Sequence, residues 1–151
     1  MTMLERAKFR DVVVNAPLVS IDLIVRNEAN EVLLGLRRNG PAKNSWFVPG
    51  GRIWKDEKIA AAFKRITDAE LGTALDVNSA RFMGVWEHFH EGNFADERGF
   101  GTHYIVLAHE VKISTASSAF PLKQHSDYLW FSEKRLLEDE KVHPYTKDYF
   151  R

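Results

Sequence analysis

The segment from residue 46 to residue 73 reads WFVPGGRIWKDEKIAAAFKRITDAELGT, and it carries the strongest indication of the fold. Between Glu57 and Leu71 apolar side chains recur close to every 3.6 residues, which predicts an amphipathic helix with one buried face. Gly72 follows at the position where a glycine commonly ends a helix. A short apolar strand precedes the helix and runs into a Pro-Gly-Gly bend. The glycines of this bend allow the backbone to approach a ligand closely.

The sequence on both sides of this segment predicts more strands than helices. Residues 18–25 and 31–38 are rich in Val, Ile and Leu and are separated by a polar turn at residues 27–30, so they predict a hairpin. Further strands are predicted over residues 80–89, 102–111 and 128–131, and further helices over residues 4–14, after Ser132 and after Pro144. This order indicates an α/β (α+β) fold with a mixed β-sheet sandwiched between helices.

Composition limits the class of protein. The 151 residues, of which 44% are hydrophobic, predict a single domain over residues 1–151. The 21 Lys and Arg residues balance 21 Asp and Glu residues, so no overall positive field attracts nucleic acid or an anionic membrane. The absence of cysteine excludes disulfides, thiol catalysis and cysteine-ligated metals. No apolar run reaches the roughly 18 residues of a membrane span, and no signal peptide is recognisable. We therefore expect a cytoplasmic protein.

Five residues of the central segment keep a spacing that resembles the Nudix box. They are Gly51, Glu57, Arg65, Glu70 and Gly72. The box has the pattern Gly-x5-Glu-x7-Arg-Glu-U-x-Glu-Glu-x-Gly-U, in which U is a bulky apolar residue. The alternative is an ordinary amphipathic helix that follows a Gly-Gly turn. Together with the strand and the hairpin upstream, the resemblance implies a Nudix fold.

Two positions depart from this pattern. Ile66 and Ala69 stand where the family has glutamates that usually help to hold divalent ions and often activate water for attack on phosphorus. An isoleucine or an alanine can neither bind a metal nor accept a proton. Either the scaffold is inactive, or the chain keeps one metal ion and places its base elsewhere.

The flanking sequence is similar to one branch of the family, the GDP-mannose mannosyl hydrolases. The similar segments are PLVSID at residues 17–22, LLGLR at 33–37, WFVPGGR at 46–52, VWEHF at 85–89, NF at 93–94, THY at 102–104, QHSDY at 124–128 and VH at 142–143. Members of this branch hydrolyse GDP-mannose or GDP-glucose at the sugar C1 with inversion and release GDP and free hexose. The resemblance implies a glycosyl hydrolase that acts on GDP-sugars.

The resemblance also implies a role for each matching residue. One Mg²⁺ per subunit, with Mn²⁺ as a substitute, would be bound by the carbonyl of Gly50, the carboxylate of Glu70 and the side-chain oxygen of Gln124. His125 would be the general base for the water that attacks C1. Charge on the departing GDP would be stabilised by Arg37, Arg52 and Arg65. The substrate contacts would come from Met3, Leu4, Phe9, Asp22, Arg37, His88 and Tyr104, in a homodimer.

Some of these residues also have ordinary structural explanations. His88 could be a hydrogen-bonded histidine of the sheet, Arg37 a solvated cation, and Phe9 part of an amphipathic helix that packs on the core. Two other functions stay open. One is a conventional Nudix nucleotide-sugar pyrophosphatase that cuts the P–O–P bond, which would require carboxylates at positions 66 and 69. The other is a nucleotide-sugar binder without catalytic activity.

Replacing His125 with glutamine tests the implied base. Because a general base typically contributes about 10²–10⁴-fold, we expect kcat for GDP-mannose to fall by that factor while GDP-sugar binding changes little. The wild-type rate should fall as the pH drops through the imidazole pKa of about 6.5, and the variant should lack this limb of its pH profile. A variant that stays within about threefold of the wild-type kcat would place the base elsewhere, with His88 as the next candidate.

Overall fold

A mixed sheet with helices on both of its faces is the main feature of the computed structural model, which describes residues 4–115 and 128–151. The described strands are β1 (Leu18–Arg26), β2 (Val32–Leu36), β3 (Trp46–Phe47), β4 (Gly50–Arg52), β5 (Arg81–His90), β6 (Thr102–Lys112) and β7 (Tyr128–Phe131). The described helices are α1 (Arg6–Asn15), α2 (Ile59–Leu71), α3 (Glu133–Glu138) and α4 (Pro144–Asp148), with a 3-10 turn at Val77–Ser79. The predicted fold class is confirmed.

Strand β1 is central to this sheet. It pairs in parallel with β6 along its whole length, from Leu18 opposite Tyr104 to Arg26 opposite Lys112. The predicted hairpin of β1 and β2 is antiparallel, but the two strands are in register only at Arg26 and Val32. The reason is that β1 also pairs with β4, whereas β2 pairs with β3 and β7. The sheet therefore depends more on long-range strand pairs than on the local hairpin.

The side chains of β1 contribute to two hydrophobic cores. Ile21, Leu23 and Val25 point to the face that α2 covers, where they meet Phe63. Ile24 points to the opposite face, and that core also contains the following residues of β2, β3 and the C-terminal segment: Val32, Leu34, Trp46, Phe47, Leu136 and Tyr149. A strand that is buried on both faces reads as an almost continuous apolar run, as residues 18–25 do. Among the described residues, no helix is long and apolar enough to cross a lipid bilayer.

Both helix ends that the sequence indicates are present. Helix α2 ends at Gly72, which has φ of 75° and donates its N–H to the carbonyl of Asp68 at 3.0 Å. Helix α3 begins after Ser132, whose hydroxyl accepts the N–H of Arg135 at 3.2 Å. Helix α2 starts two residues later than predicted. Glu57 belongs to the preceding bend instead, where its carboxylate accepts the N–H of Trp54 at 3.0 Å.

Substituting Gly72 with alanine tests the helix end. Because a Cβ is unfavourable at a positive φ, we expect the free energy of unfolding to fall by about 1–2 kcal/mol in urea titrations. Gly92→Ala is the matched control, since a Cβ there would meet no atom within 4 Å and its φ lies outside the left-handed region. Equal stability losses in the two variants would contradict this account of Gly72.

Candidate functional site

A cleft of about 410 Å³ lies beside the middle of β1, at Ser20 and Asp22, and along β4. It brings together seven of the residues predicted from the sequence, namely Asp22, Arg37, Gly50, Arg52, Glu70, His88 and Tyr104. An adjoining groove of about 480 Å³ contains the predicted residues Leu4, Phe9 and Arg65 and shares Gly50, Arg52 and Glu70 with the cleft. Met3, Gln124 and His125 lie outside the described residues, so their roles stay predictions.

Gly50 makes the tightest backbone approach in the cleft. It pairs with Asp22 across β1 and β4. A Cβ on Gly50 would stand 2.4 Å from the carbonyl oxygen of Ile21 and 2.8 Å from Oδ1 of Asp22. No real side chain tolerates these distances, so this pairing requires a glycine.

Glu70 lies on the buried face of α2 with 2% of its surface exposed. Burial raises the pKa of its carboxyl group to about 7, although hydrogen bonds from the Tyr128 hydroxyl and the Gly50 backbone act in the opposite direction. Tyr128 donates to Oε2 at 3.1 Å. A divalent cation beside this group would favour the ionised carboxylate, so the position suits a hard metal ion.

The donors available for a metal ion are few. Within residues 4–115 and 128–151, no three Asp, Glu or His side chains are grouped so that they could hold a metal. Asp22 and Glu70 are the two described carboxylates that line the cleft. A cation at this position would therefore depend on Glu70, on backbone carbonyls and on donors beyond the described residues.

Three arginines line the cleft, Arg37, Arg38 and Arg52, and the sequence analysis selected two of them, Arg37 and Arg52. The guanidinium of Arg37 lies 5.5 Å from the centre of the Phe47 ring, and its charge lowers the pKa of Asp22 and of Glu70. Arg52 is partly buried, and its guanidinium stands 4.6 Å from the centre of the Phe9 ring. Both arginines can meet an anionic ligand, because arginine is a bidentate partner of phosphate groups.

Arg65 differs from these two, because its Nε and Nη2 donate hydrogen bonds within the protein. Its Nε donates to Oε2 of Glu57 at 2.8 Å, and its Nη2 donates to Oε1 at 2.9 Å. Nη2 also donates to the carbonyl of Arg52 at 2.7 Å, and the guanidinium lies 3.7 Å from the centre of the Trp54 ring. Arg65 thus joins α2 to the glycine bend and lies outside the cleft. Its direct action on the departing group stays a prediction.

Asp22 has a partner that the sequence analysis missed. The hydroxyl of Tyr149 donates to Oδ2 of Asp22 at 2.5 Å, and the aspartate is 8% exposed. Burial raises the pKa of Asp22 to about 6, whereas the hydrogen bond from Tyr149 and the charge of Arg37 lower it. The position of Asp22 within an apolar strand indicates that it needs a donor. Nothing in the sequence identifies Tyr149 as that donor.

Neutral imidazoles form another part of the cleft. His88 is 3% exposed and stacks on Tyr145, with ring centres 4.2 Å apart. His90, which the sequence analysis did not select, lines the same cleft. Burial lowers the pKa of His88 to about 4 and that of His90 to about 3. The alternation of side chains along β5 is the signal that could have found His90, because it places positions 88 and 90 on one face.

Comparison with known proteins agrees with this geometry. A family model described as NUDIX domain matches residues 16–151. The low-salt glycan biosynthesis protein Agl8 of Haloferax volcanii is 38% identical over 139 residues, which are 91% of this chain and 83% of that protein.

Solved structures have a similar fold at low sequence identity. The MutT protein of Methanosarcina mazei Go1 is 21% identical, with a TM-score of 0.69 and coverage of 91% of this chain and 93% of that one. The MutT NUDIX hydrolase of Burkholderia pseudomallei is 20% identical, with a TM-score of 0.70 and coverage of 89% and 96%. The NUDIX domain of Shewanella oneidensis NrtR, solved with ADP ribose, is 18% identical, with a TM-score of 0.63 and coverage of 97% and 96%.

A pair of glycine variants tests the approach of β4 to β1. In Gly50→Ala the new Cβ would collide with backbone and with Asp22, so we expect a loss of stability of about 3 kcal/mol or more, within the range of severe overpacking. Gly51→Ala is the control, because its Cβ would stand 3.0 Å from Ile66 Cγ1, a contact that a shift of a few tenths of an ångström relieves. Thermal and urea unfolding measure both. A Gly50→Ala protein as stable as Gly51→Ala would contradict the proposed contact.

Proposed function

Since the chain belongs to the Nudix hydrolase family, we propose that it hydrolyses GDP-mannose or GDP-glucose at the sugar C1 with inversion, giving GDP and free hexose. The observation that carries this proposal is the shortage of carboxylates around Glu70. Position 66 is a buried isoleucine, position 69 is an alanine, and Glu57 is paired with Arg65. The usual Nudix attack on phosphorus relies on several carboxylates, whereas Asp22 and Glu70 are the two that line this cleft among the described residues.

The charges of the cleft suit a diphosphate leaving group. Arg37 and Arg52 offer guanidinium groups that can bind phosphate oxygens, and they stabilise the charge that develops on GDP as the bond to C1 breaks. Gly50, Glu70 and Gln124 would hold Mg²⁺, which supplies further positive charge to the diphosphate. We propose a positioning role for Arg65, which holds the bend that carries Arg52.

The other side chains of the cleft suit an uncharged sugar. His88 and His90 are neutral across the physiological pH range, because burial lowers the pKa of both imidazoles. The Nε2 atom of His88 is buried and has no hydrogen-bond partner among the described residues, so a ligand hydroxyl could supply one. Asp22 and Tyr104 add further polar atoms. His125 is the proposed base that takes a proton from the attacking water.

The adjoining groove suits the nucleoside. It contains the aromatic rings of Phe9, Trp54 and Phe94, and the rings of Phe9 and Phe94 have centres 4.8 Å apart. Aromatic faces of this kind can stack on a nucleobase. We propose that Leu4 and Phe9 contact the guanosine, and that Met3 extends this contact in a homodimer.

The names of two similar proteins support a nucleotide-sugar substrate. The name of Agl8 assigns that protein to glycan biosynthesis, and the NrtR domain was solved with ADP ribose, which is a nucleotide joined to a sugar. Transfer of this chemistry to the present chain is part of the proposal. Hydrolysis of the P–O–P bond and binding without turnover are the outcomes that oppose it.

Hydrolysis in ¹⁸O-labelled water tests the proposal directly. With GDP-mannose or GDP-glucose and Mg²⁺, we expect GDP and free hexose, with the label in the hexose because water attacks C1. Mass spectrometry of both products measures the position of the label. Glu70→Gln, which keeps the size of the side chain and removes its charge, controls for contaminating hydrolases and should lose the metal-dependent turnover. Label in a phosphate group, together with GMP and sugar phosphate, would contradict the proposal, as would binding without turnover.

A further inference from the structure

The C-terminal helix reaches the cleft through two tyrosines. Tyr145 lies in α4, and Tyr149 follows four residues later, a spacing that places both side chains on one side of the helical turn. The Tyr145 ring stacks on His88, and its hydroxyl pairs with the N–H and the carbonyl of Phe89, each at 2.9 Å. The Tyr149 hydroxyl bonds to Asp22. One end of the chain thus contacts two residues of the cleft.

We propose that Tyr149 is a positioning residue that orients Asp22 to accept a hydrogen bond from a hydroxyl group of the hexose of a nucleotide sugar. This inference rests on the proposed function and extends it to a residue outside the Nudix box. Tyr149 acts through Asp22 and does not itself line the cleft.

The two oxygens of Asp22 are in different situations. Oδ2 accepts the Tyr149 hydroxyl at 2.5 Å. No donor among the described residues bonds to Oδ1, and this atom lies on the side of Gly50, which lines the cleft. A carboxylate oxygen is an acceptor only, so Oδ1 suits a ligand that brings a donor. A sugar hydroxyl meets this requirement, whereas a phosphate oxygen without a proton would be repelled.

Packing holds Tyr149 in place. The residue is buried, and its ring meets the Trp86 ring edge to face, with centres 4.9 Å apart. The start of α4 is joined to β3, because the N–H of Trp46 donates to the carbonyl of Lys141 at 2.8 Å and the N–H of His143 donates to the carbonyl of Trp46 at 3.1 Å. The hydroxyl is therefore oriented before a ligand arrives, which is what a positioning residue requires.

Tyr149→Phe tests this inference, because it removes the hydroxyl and keeps the ring against Trp86. Without the Tyr149 hydroxyl, the carboxylate of Asp22 is no longer held in one orientation. We therefore expect the affinity for GDP-mannose to fall by about tenfold, which is the order of magnitude of a lost hydrogen bond to a charged group. The affinity for GDP, which lacks the hexose, should stay within about twofold of wild type. In kinetics, KM should rise by about the same factor as the affinity falls, with kcat changed less than KM. Calorimetry and initial rates measure these values.

Thr146→Val is the matched control. This threonine belongs to the same helix, is fully buried, and has a hydroxyl without a hydrogen-bond partner among the described residues. Removal of its hydroxyl should leave both affinities unchanged. If Thr146→Val weakens GDP-mannose binding as much as Tyr149→Phe does, the effect is a general disturbance of α4, and the inference is overturned.

A double-mutant cycle separates action through Asp22 from a purely structural role. We compare Asp22→Ala, which removes both carboxylate oxygens, with the double variant Asp22→Ala/Tyr149→Phe. If Tyr149 acts through Asp22, the second change should add no further loss of GDP-mannose affinity. This comparison also serves if Tyr149→Phe alone is too unstable to study, because the alanine at position 22 removes the unpaired buried charge. An additional loss in the double variant overturns the inference.

The outcomes distinguish the inference from the proposed function. A wild-type protein that neither binds nor hydrolyses GDP-mannose would refute the proposed function, whatever Tyr149 does. A wild-type protein that hydrolyses GDP-mannose, together with a Tyr149→Phe variant of unchanged affinity for it, would leave the function standing and overturn the role of Tyr149.

Discussion

Gly50 lies so close to β1 that a Cβ at this position would come within 2.4 Å of the Ile21 carbonyl oxygen. This contact joins three parts of the site. It sets the register of β4 against Asp22, it places Arg52 two residues further along the same strand, and it brings a backbone donor to the carboxylate of Glu70. Each of these positions would shift if β4 moved away from β1, so the absence of one Cβ determines the geometry of the cleft.

The two departures from the Nudix box have different physical consequences. Ile66 is buried in the core between α2 and the sheet, and its side chain packs beside Gly51. The position that holds a glutamate in the Nudix pattern therefore contributes to packing in this chain. Ala69 lines the adjoining groove, where its small side chain leaves room. Glu57 keeps its place in the pattern but pairs with Arg65. The box thus keeps the ion pair of Glu57 and Arg65, and Glu70 is its one carboxylate in the cleft.

The cleft combines groups whose charges are set by burial. Burial raises the pKa of Asp22 to about 6 and of Glu70 to about 7, and it lowers the pKa of His88 and His90 well below the usual value. The charge of Arg37 opposes the effect of burial on both carboxyl groups. A positively charged ligand beside Glu70 would act in the same direction as Arg37.

The sequence by itself determined the elements that depend on local chemistry. The 3.6-residue period predicts α2, Gly72 ends it because a left-handed residue is needed there, and seven predicted site residues line one cleft. The tertiary structure alone decided which side chains pair with one another through hydrogen bonds and ion pairs. It pairs Arg65 with Glu57 outside the cleft, adds His90, reduces the hairpin to one register pair, and brings Tyr149 to Asp22 across 127 residues of sequence. The physical reason is that periodicity identifies the buried face of an element, whereas the partner across that face depends on the packing of distant segments.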